Sequence, residues 1–306
     1  MSRLRRPPQL ETPFVAGEPS RGYYNDLRPH LAVYAATPQA VPAAVVRLTA
    51  DRDAANPVTI AQLGIGAWQR SGDDRRFLDG LDAVASWLAS ALEPGGTIPY
   101  RFPLRGTYDV PAPWLSAMAQ GEAASVLVRA ADALGRPELL DAALEAVRPL
   151  LEGRGGLVVE TRDGPVLEEY PTARASHVLN GWVFALWGLY DVAHSPARHR
   201  PAEELFDRSV AALAARLPLY ELPGSWTRYD LYPHAIPNVA SPFYHALHIA
   251  QLRALGRLTD DRRLPAAAAR WQRAARSRRV QAGAVAAKVM FRLVRPRRRR
   301  GFRSRR

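Results

Sequence analysis

From about Thr59 onward, apolar residues recur every three to four positions in one segment after another, the spacing that lays a stripe along one face of a helix. The pattern predicts helices at Thr59–Arg70, Arg75–Ala91, Ser116–Leu134, Pro137–Leu151, Arg174–Ala193, Pro201–Leu217, Val239–Leu255 and Arg263–Arg279. A weakly apolar helix follows, with Val280, Ala284, Ala287 and Phe291 on one face. Short turns alternate with longer loops rich in Gly, Pro and Tyr, as in antiparallel helix pairs whose longer loops gather at one end. The expected fold is mainly α: an α/α toroid, as an incomplete (α/α)6-type barrel of antiparallel helix pairs. One stretch breaks the helical period. In "GGLVVETRDGPVLEEY" two β-prone runs flank Asp163-Gly164, which predicts a small β-hairpin. Ahead of Pro57 the chain is proline-rich and irregular, with a short strand expected at Leu31–Tyr34. This divides the chain into an irregular segment, 1–55, packing on the helical domain, a toroid domain at 56–280, and a basic helix and tail at 281–306.

Composition narrows the setting. The 306 residues are 47% hydrophobic, enough for a large core. Without cysteine there are neither disulfides nor thiolate metal sites, which fits a reducing compartment. The start, "MSRLRRPPQLETP", runs into prolines instead of an apolar stretch, and no segment reaches the roughly 18 apolar residues of a span. The expectation is a cytoplasmic protein, peripheral at most to a membrane, with no signal peptide or transmembrane segment.

The net charge of +13 is not spread along the chain. From Arg270 onward lie 15 of the 42 cationic residues and no acid, so the body before it carries 27 cations against 29 acids. A nucleic-acid role is therefore disfavoured. The tail "RLVRPRRRRGFRSRR" reads first as a solvated arm and second as a contact for an anionic membrane surface.

Candidate chemistry centres on Glu168-Glu169-Tyr170, ahead of Pro171-Thr172 and a long apolar run. Two readings stand: the glutamates favour the positive end of a helix starting at Pro171-Thr172, or they belong to a site. Other loops and helix starts, "GYYNDLR", "GTYDVPAPWLSAMAQGEAASVLVRA", "GSWTRYDLYPHAIPN" and "SPFYHALHIAQL", are rich in phenols, amides and aromatic faces. Together they suit a cleft in which sugar rings stack and hydroxyls find fixed partners. His245 and His248 have a spacing that permits metal ligation, but with no carboxylate or further histidine at a matching interval a core or substrate contact is the better reading.

At these stretches the chain resembles the D-glucuronyl 5-epimerases that act on heparosan and heparan sulfate. "PWLSAMAQGEAASVLVRA" is similar to their "SAMAQGQ" helix, and "LEEYPTARASHVLNGWVFALWGLYDV" to "EEYPT…VLNG…GLYDL". "RYDLYPHAIPNVASPFYHALHIAQL" resembles "YDLRH…APN…YHTTHINQL", and "NPVTIAQLGIGAW" resembles "YPIQIAQYGL". The matches run in order from Asn56 to Leu252, and the β-rich N-terminal region of the animal enzymes has no counterpart, so the resemblance is to their catalytic helical domain.

The resemblance implies abstraction of the C-5 proton of a D-glucuronate residue within an acidic polysaccharide and reprotonation on the opposite face to give L-iduronate, with no cofactor and no metal. It puts Glu169, Tyr170, Tyr229 and Tyr244 at catalytic positions: Glu169 as base, Tyr170 or Tyr244 as proton relay, Tyr229 orienting the ring or carboxylate. Gln120 and Asn180 are expected to hold neighbouring sugars or loops, and Tyr24, Tyr108 and His245 to contact substrate. One motif departs from the pattern: Tyr232 stands where "YDLRH" has an arginine suited to a carboxylate, and Arg228, His234 or Arg105 are candidates to compensate. A lyase or hydrolase on a similar toroid and a catalytically silent glycan-binding protein are the competing functions. A homodimer is left open.

The charge distribution makes a first prediction. Deleting Arg295–Arg306 leaves folding and turnover intact but weakens association with anionic vesicles, most strongly at low salt, where screening extends beyond about 10 Å. Equal binding of truncated and full-length chains to such vesicles would contradict it.

Overall fold

Four of the long helices begin where the sequence supplies a cap. Asn56 accepts the amide of Thr59 and Pro57 occupies the first turn of the helix it opens; Ser116, Ser241 and Ser277 accept amides three residues on in the same way. In the computed structural model, which describes residues 9–295, the helices are α1 (Arg28–Tyr34), α2 (Ala40–Thr49), α3 (Pro57–Ser71), α4 (Leu78–Ala91), α5 (Ala117–Leu134), α6 (Glu138–Leu151), α7 (Leu179–His194), α8 (Arg200–Tyr220), α9 (Pro242–Leu258), α10 (Arg263–Arg276) and α11 (Arg278–Val294). Three small antiparallel pairs accompany them: β1 (Phe14–Val15) with β2 (Glu18–Gly22), β3 (Val158–Thr161) with β4 (Gly164–Leu167), and β5 (Glu221–Leu222) with β6 (Trp226–Thr227).

The helices form two layers. Helices α3, α5, α7 and α9 pack in succession on one another, and α4, α6, α8 and α10 each cover the helix preceding them. As inner-layer members, α5 and α7 are buried all round, from Ala117 to Ala131 and from Leu179 to Ala193. They approach through Gly121 and Gly188: a Cβ on Gly121 would lie 2.6 Å from the Ala185 Cα, and one on Gly188 would overlap the Gly121 backbone. Two bare backbones thus set how closely the inner layer packs.

An ion pair is buried between them. Arg129 of α5 and Asp191 of α7 are both fully buried, with Arg129 Nη1 2.5 Å from Asp191 Oδ2. Asp191 also accepts from the Tyr24 phenol at 2.6 Å and the Ser125 hydroxyl at 2.6 Å, while Arg129 donates to the Gly22 carbonyl. Arg129 further sits over the Tyr23 ring, 4.7 Å from its centroid. This network ties the segment ahead of α1 to the inner layer.

Five local expectations change, the first being that the segment ahead of Pro57, expected to be irregular, carries the β1–β2 pair and helices α1 and α2. Leu31–Tyr34, expected as a strand, lies in α1, where Pro29 occupies the first turn and Leu31 is buried. The hairpin turns at Arg162-Asp163, one residue earlier than expected, so that Gly164, at φ +118°, opens β4 opposite Thr161. Helix α7 starts at Leu179 instead of Arg174, which removes Pro171-Thr172 as a helix start. The last stripe splits at Ser277, which ends α10 and caps α11. No helix among the described residues is long and apolar enough to cross a membrane. The polyarginine run and its expected membrane contact lie outside the described residues.

The buried pair predicts a large asymmetry. Asp191→Asn leaves Arg129 charged and without its counter-ion in the core, a loss of about 3–5 kcal/mol by urea unfolding. Tyr24→Phe removes one hydrogen bond and costs about 1 kcal/mol. Equal, small losses in both variants would show that the pair is not sealed from solvent.

Candidate active site

The two adjacent glutamates that follow β4 do different things. Glu168 is structural. Its amide donates to the Leu157 carbonyl at 2.8 Å and its carbonyl accepts from the Ala117 amide at 2.9 Å, joining the β3–β4 hairpin to the start of α5. Its carboxylate accepts from the Ser176 amide at 3.1 Å, the Ser176 hydroxyl at 2.6 Å and the His177 amide at 3.0 Å, and the His177 imidazole lies against it. These bonds hold His177 at φ 45°, a left-handed conformation that a residue with a Cβ adopts only under constraint. The backbone therefore cannot become helical until Leu179.

Glu169 faces the other way. It lines a cavity of about 720 Å³ together with Asn56, Gln62, Tyr100, Trp114 and Asn180. Gly181 leaves it room, since a Cβ there would lie 2.6 Å from the Glu169 Cβ. Tyr170, Tyr229 and Tyr244 line the same cavity and also a neighbouring one of about 350 Å³, so they form a shared wall. Tyr229 and Tyr244 meet edge to face at 4.7 Å, and Tyr170 lies 4.8 Å from Tyr108 and 5.8 Å from Trp114. Asn180 turns a buried Oδ1 that accepts no hydrogen bond within the protein.

Burial first, and the Glu169 charge second, push the Tyr170 and Tyr229 phenols well above the ordinary tyrosine range; the hydrogen bond between Tyr170 and Glu169 acts in the same direction. Both phenols are therefore neutral donors at physiological pH. Tyr108 is likewise raised by burial and by Asp230, whose buried carboxylate accepts its hydroxyl and the Asn238 amide.

Of the residues singled out in the sequence, Glu169, Tyr170, Tyr229, Tyr244 and Asn180 come together in the larger cavity, and Tyr108 lines the smaller one. Arg105 also lines the smaller cavity, and six others line neither. Tyr24 bonds Asp191 in the core. Gln120 is fully buried, its amide donating to the Gly96 and Ala146 carbonyls and its oxygen accepting from Ile98, so it holds the loop after α4 and has no donor left for a sugar. His245 stacks on Trp226 at 3.8 Å; its Nε2 donates to the Trp271 carbonyl and its Nδ1 faces Thr227. Burial lowers its pKa to about 4, so it is neutral. His248 shares the Thr227 hydroxyl, so the pair of histidines braces a core threonine. Arg228 lies off both cavities, and His234 rests 3.4 Å from Asp230 against Phe291. Neither side chain reaches the cavities as a substitute for arginine.

With that geometry in view, comparison with known proteins places the chain in a family: residues 93–273 match the model described as D-glucuronyl C5-epimerase C-terminus, and the chain belongs to that family. Over 178 residues it is 36% identical to the D-glucuronyl C5-epimerase of Caenorhabditis elegans, covering 53% of this chain and 29% of that relative. The chain thus spans less than a third of the relative's length. The matched span contains Glu169, Tyr170, Asn180, Tyr229 and Tyr244, but not α11.

Several lining or supporting residues carried no separate signal in the sequence. Asn56, Gln62 and Asn238 lie inside quoted motifs, yet nothing in a single sequence distinguishes them from caps or core amides. Glu122 is the most consequential. It is fully buried on α5, accepts from Gln62 Nε2 at 2.9 Å, and is raised well above the carboxylate range by burial, against the Gln62 bond and with help from the Glu169 charge.

A raised carboxyl keeps its proton in the folded state while the unfolded chain loses it above about pH 4.3. Its contribution to stability is thus full below that pH and falls as pH rises, by up to about 1.4 kcal/mol per pH unit until the folded group ionises. Glu122→Gln keeps the acceptor for Gln62 and removes this slope, so its melting temperature gains on the parent between pH 5 and pH 8. A difference that does not change with pH would show that Glu122 is not held protonated.

Proposed function

We propose that this protein epimerises D-glucuronate to L-iduronate residues in a heparosan-like acidic polysaccharide. The observation that carries the proposal is one carboxylate, Glu169, on the same cavity as three tyrosines, Tyr170, Tyr229 and Tyr244, within the span that matches the family. The C-5 hydrogen lies beside a carboxylate, and its removal generates a doubly negative enediolate. Glu169 takes that proton. A phenol, Tyr244, delivers a proton to C-5 from the opposite face; Tyr170, which hydrogen-bonds Glu169 and so stands on the side of the base, relays the proton there, and Tyr229 orients the ring or its carboxylate. Solvent then removes the proton from Glu169 and returns one to the phenol, so the proton balance closes without a cofactor and solvent label enters C-5. Asn180 supplies an acceptor for a sugar hydroxyl. The two-layer array, on this reading, is an arc of an α/α toroid whose open face receives the polymer.

Incubation with heparosan in deuterated water, read by NMR, tests the assignment. Wild-type protein places deuterium at C-5 with chain length preserved; Glu169→Gln and Tyr170→Phe slow this by about 10²–10⁴-fold while polymer affinity changes far less. Shortened chains with unsaturated ends would instead mean elimination. Near-parental exchange in Glu169→Gln would remove it as the base.

A further inference from the structure

The two cavities on either side of the tyrosine wall carry opposite charge. The larger is lined by Glu169 and by no Lys or Arg among the described residues; the smaller is lined by Arg105, Lys288 and Arg292 and by no acid. Lys288 is the single lysine of the chain, and it lies with Arg292 on α11, beyond the matched span. Its ammonium donates to Asn238 Oδ1 at 2.7 Å and lies 5.6 Å from the Tyr229 ring centroid. Asn238 in turn donates to Asp230, so the amide is oriented from behind with its oxygen toward the lysine. Arg292 Nη1 is anchored on the Thr107 hydroxyl at 2.9 Å. Asp230 Oδ2 accepts from the Tyr108 hydroxyl and the Asn238 amide and lies 3.4 Å from His234 Nε2.

We propose that Lys288, with Arg292 beside it, is the carboxylate-binding subsite for the uronate and for the charge that develops on it. This rests on the epimerase reading. A sugar ring at the tyrosine wall with its C-5 hydrogen toward Glu169 extends its carboxylate away from that glutamate, and the opposite side of the wall is where the cations are. The separation matters electrostatically: a base must not be neutralised by an adjacent ammonium, while an enediolate needs a cation close by in a water-poor site. Helix α11 is then part of the active site and not merely the stem of a basic tail.

Binding to heparosan and to carboxyl-reduced heparosan, together with C-5 exchange, is measured for the parent, Lys288→Met, Lys288→Arg and Arg292→Gln. The subsite predicts that Lys288→Met loses about tenfold or more in affinity for heparosan with no loss for the carboxyl-reduced polymer, that Lys288→Arg recovers most of it, and that Arg292→Gln shows the same selective loss. Arg292→Gln and Lys288→Arg keep the test decisive if Lys288→Met does not fold. A parent that prefers neither polymer, or variants that lose both equally, would overturn the subsite. Absence of C-5 exchange in the parent alongside a selective loss would instead overturn the epimerase reading and leave the subsite standing.

Discussion

The site depends on what Glu168 does with its four polar groups. Backbone bonds to Leu157 and Ala117 join the hairpin to α5, and carboxylate bonds to Ser176 and His177 stop α7 from starting early. With a left-handed His177 held in place, Tyr220 can also donate to the His177 carbonyl, fixing the same loop to α8. One buried carboxylate, held by three donors with the His177 ring against it, thereby sets the position of the next residue, Glu169, against the cavity.

What the cavity can do follows from how charge is distributed around its tyrosines. Burial keeps the Tyr170 and Tyr229 phenols neutral and Glu169 reinforces this, while Lys288 and Arg292 of α11 line the neighbouring cavity. Rigidity supports the arrangement: α5 and α7 are buried all round and touch backbone to backbone at Gly121 and Gly188, and the Arg129–Asp191 pair locks their other end. A reaction that creates charge gains from dipoles and ions that need not reorganise.

Much of this was legible in the sequence, for reasons that can be named. Ser116 marks a helix start because a cap is a local interaction, and the hairpin is visible because Asp163-Gly164 signals a turn, whereas the caps Asn56 and Ser241 lie a few residues from the starts that periodicity gives. Glu169, Tyr170, Tyr229 and Tyr244 are singled out by motifs that resemble the family's, and the fold brings them to one cavity. What was missed is long-range. Gln120 is expected at sugars or loops and His245 at the core or the substrate, and only the fold decides between these, because Gly96, Ala146 and Trp271 use them up. Tyr24 finds Asp191 on a helix far along the chain. The start of α7 was misplaced because apolar periodicity cannot register a backbone held by a side chain eight residues upstream. Lys288 stands out in the sequence only as the single lysine of the chain.

The central claim is that adjacent glutamates divide structure from chemistry, and thermal melting of Glu168→Gln beside Glu169→Gln tests it most directly. Glu168→Gln weakens charge-assisted bonds to Ser176 and His177 and is predicted to lower the melting temperature by several degrees, at about 2–4 °C per kcal/mol for a domain of this size. Glu169→Gln, which relieves a charge facing the cavity, is predicted to leave it unchanged or raise it. Equal melting of the two variants, or a larger loss in Glu169→Gln, would contradict the division.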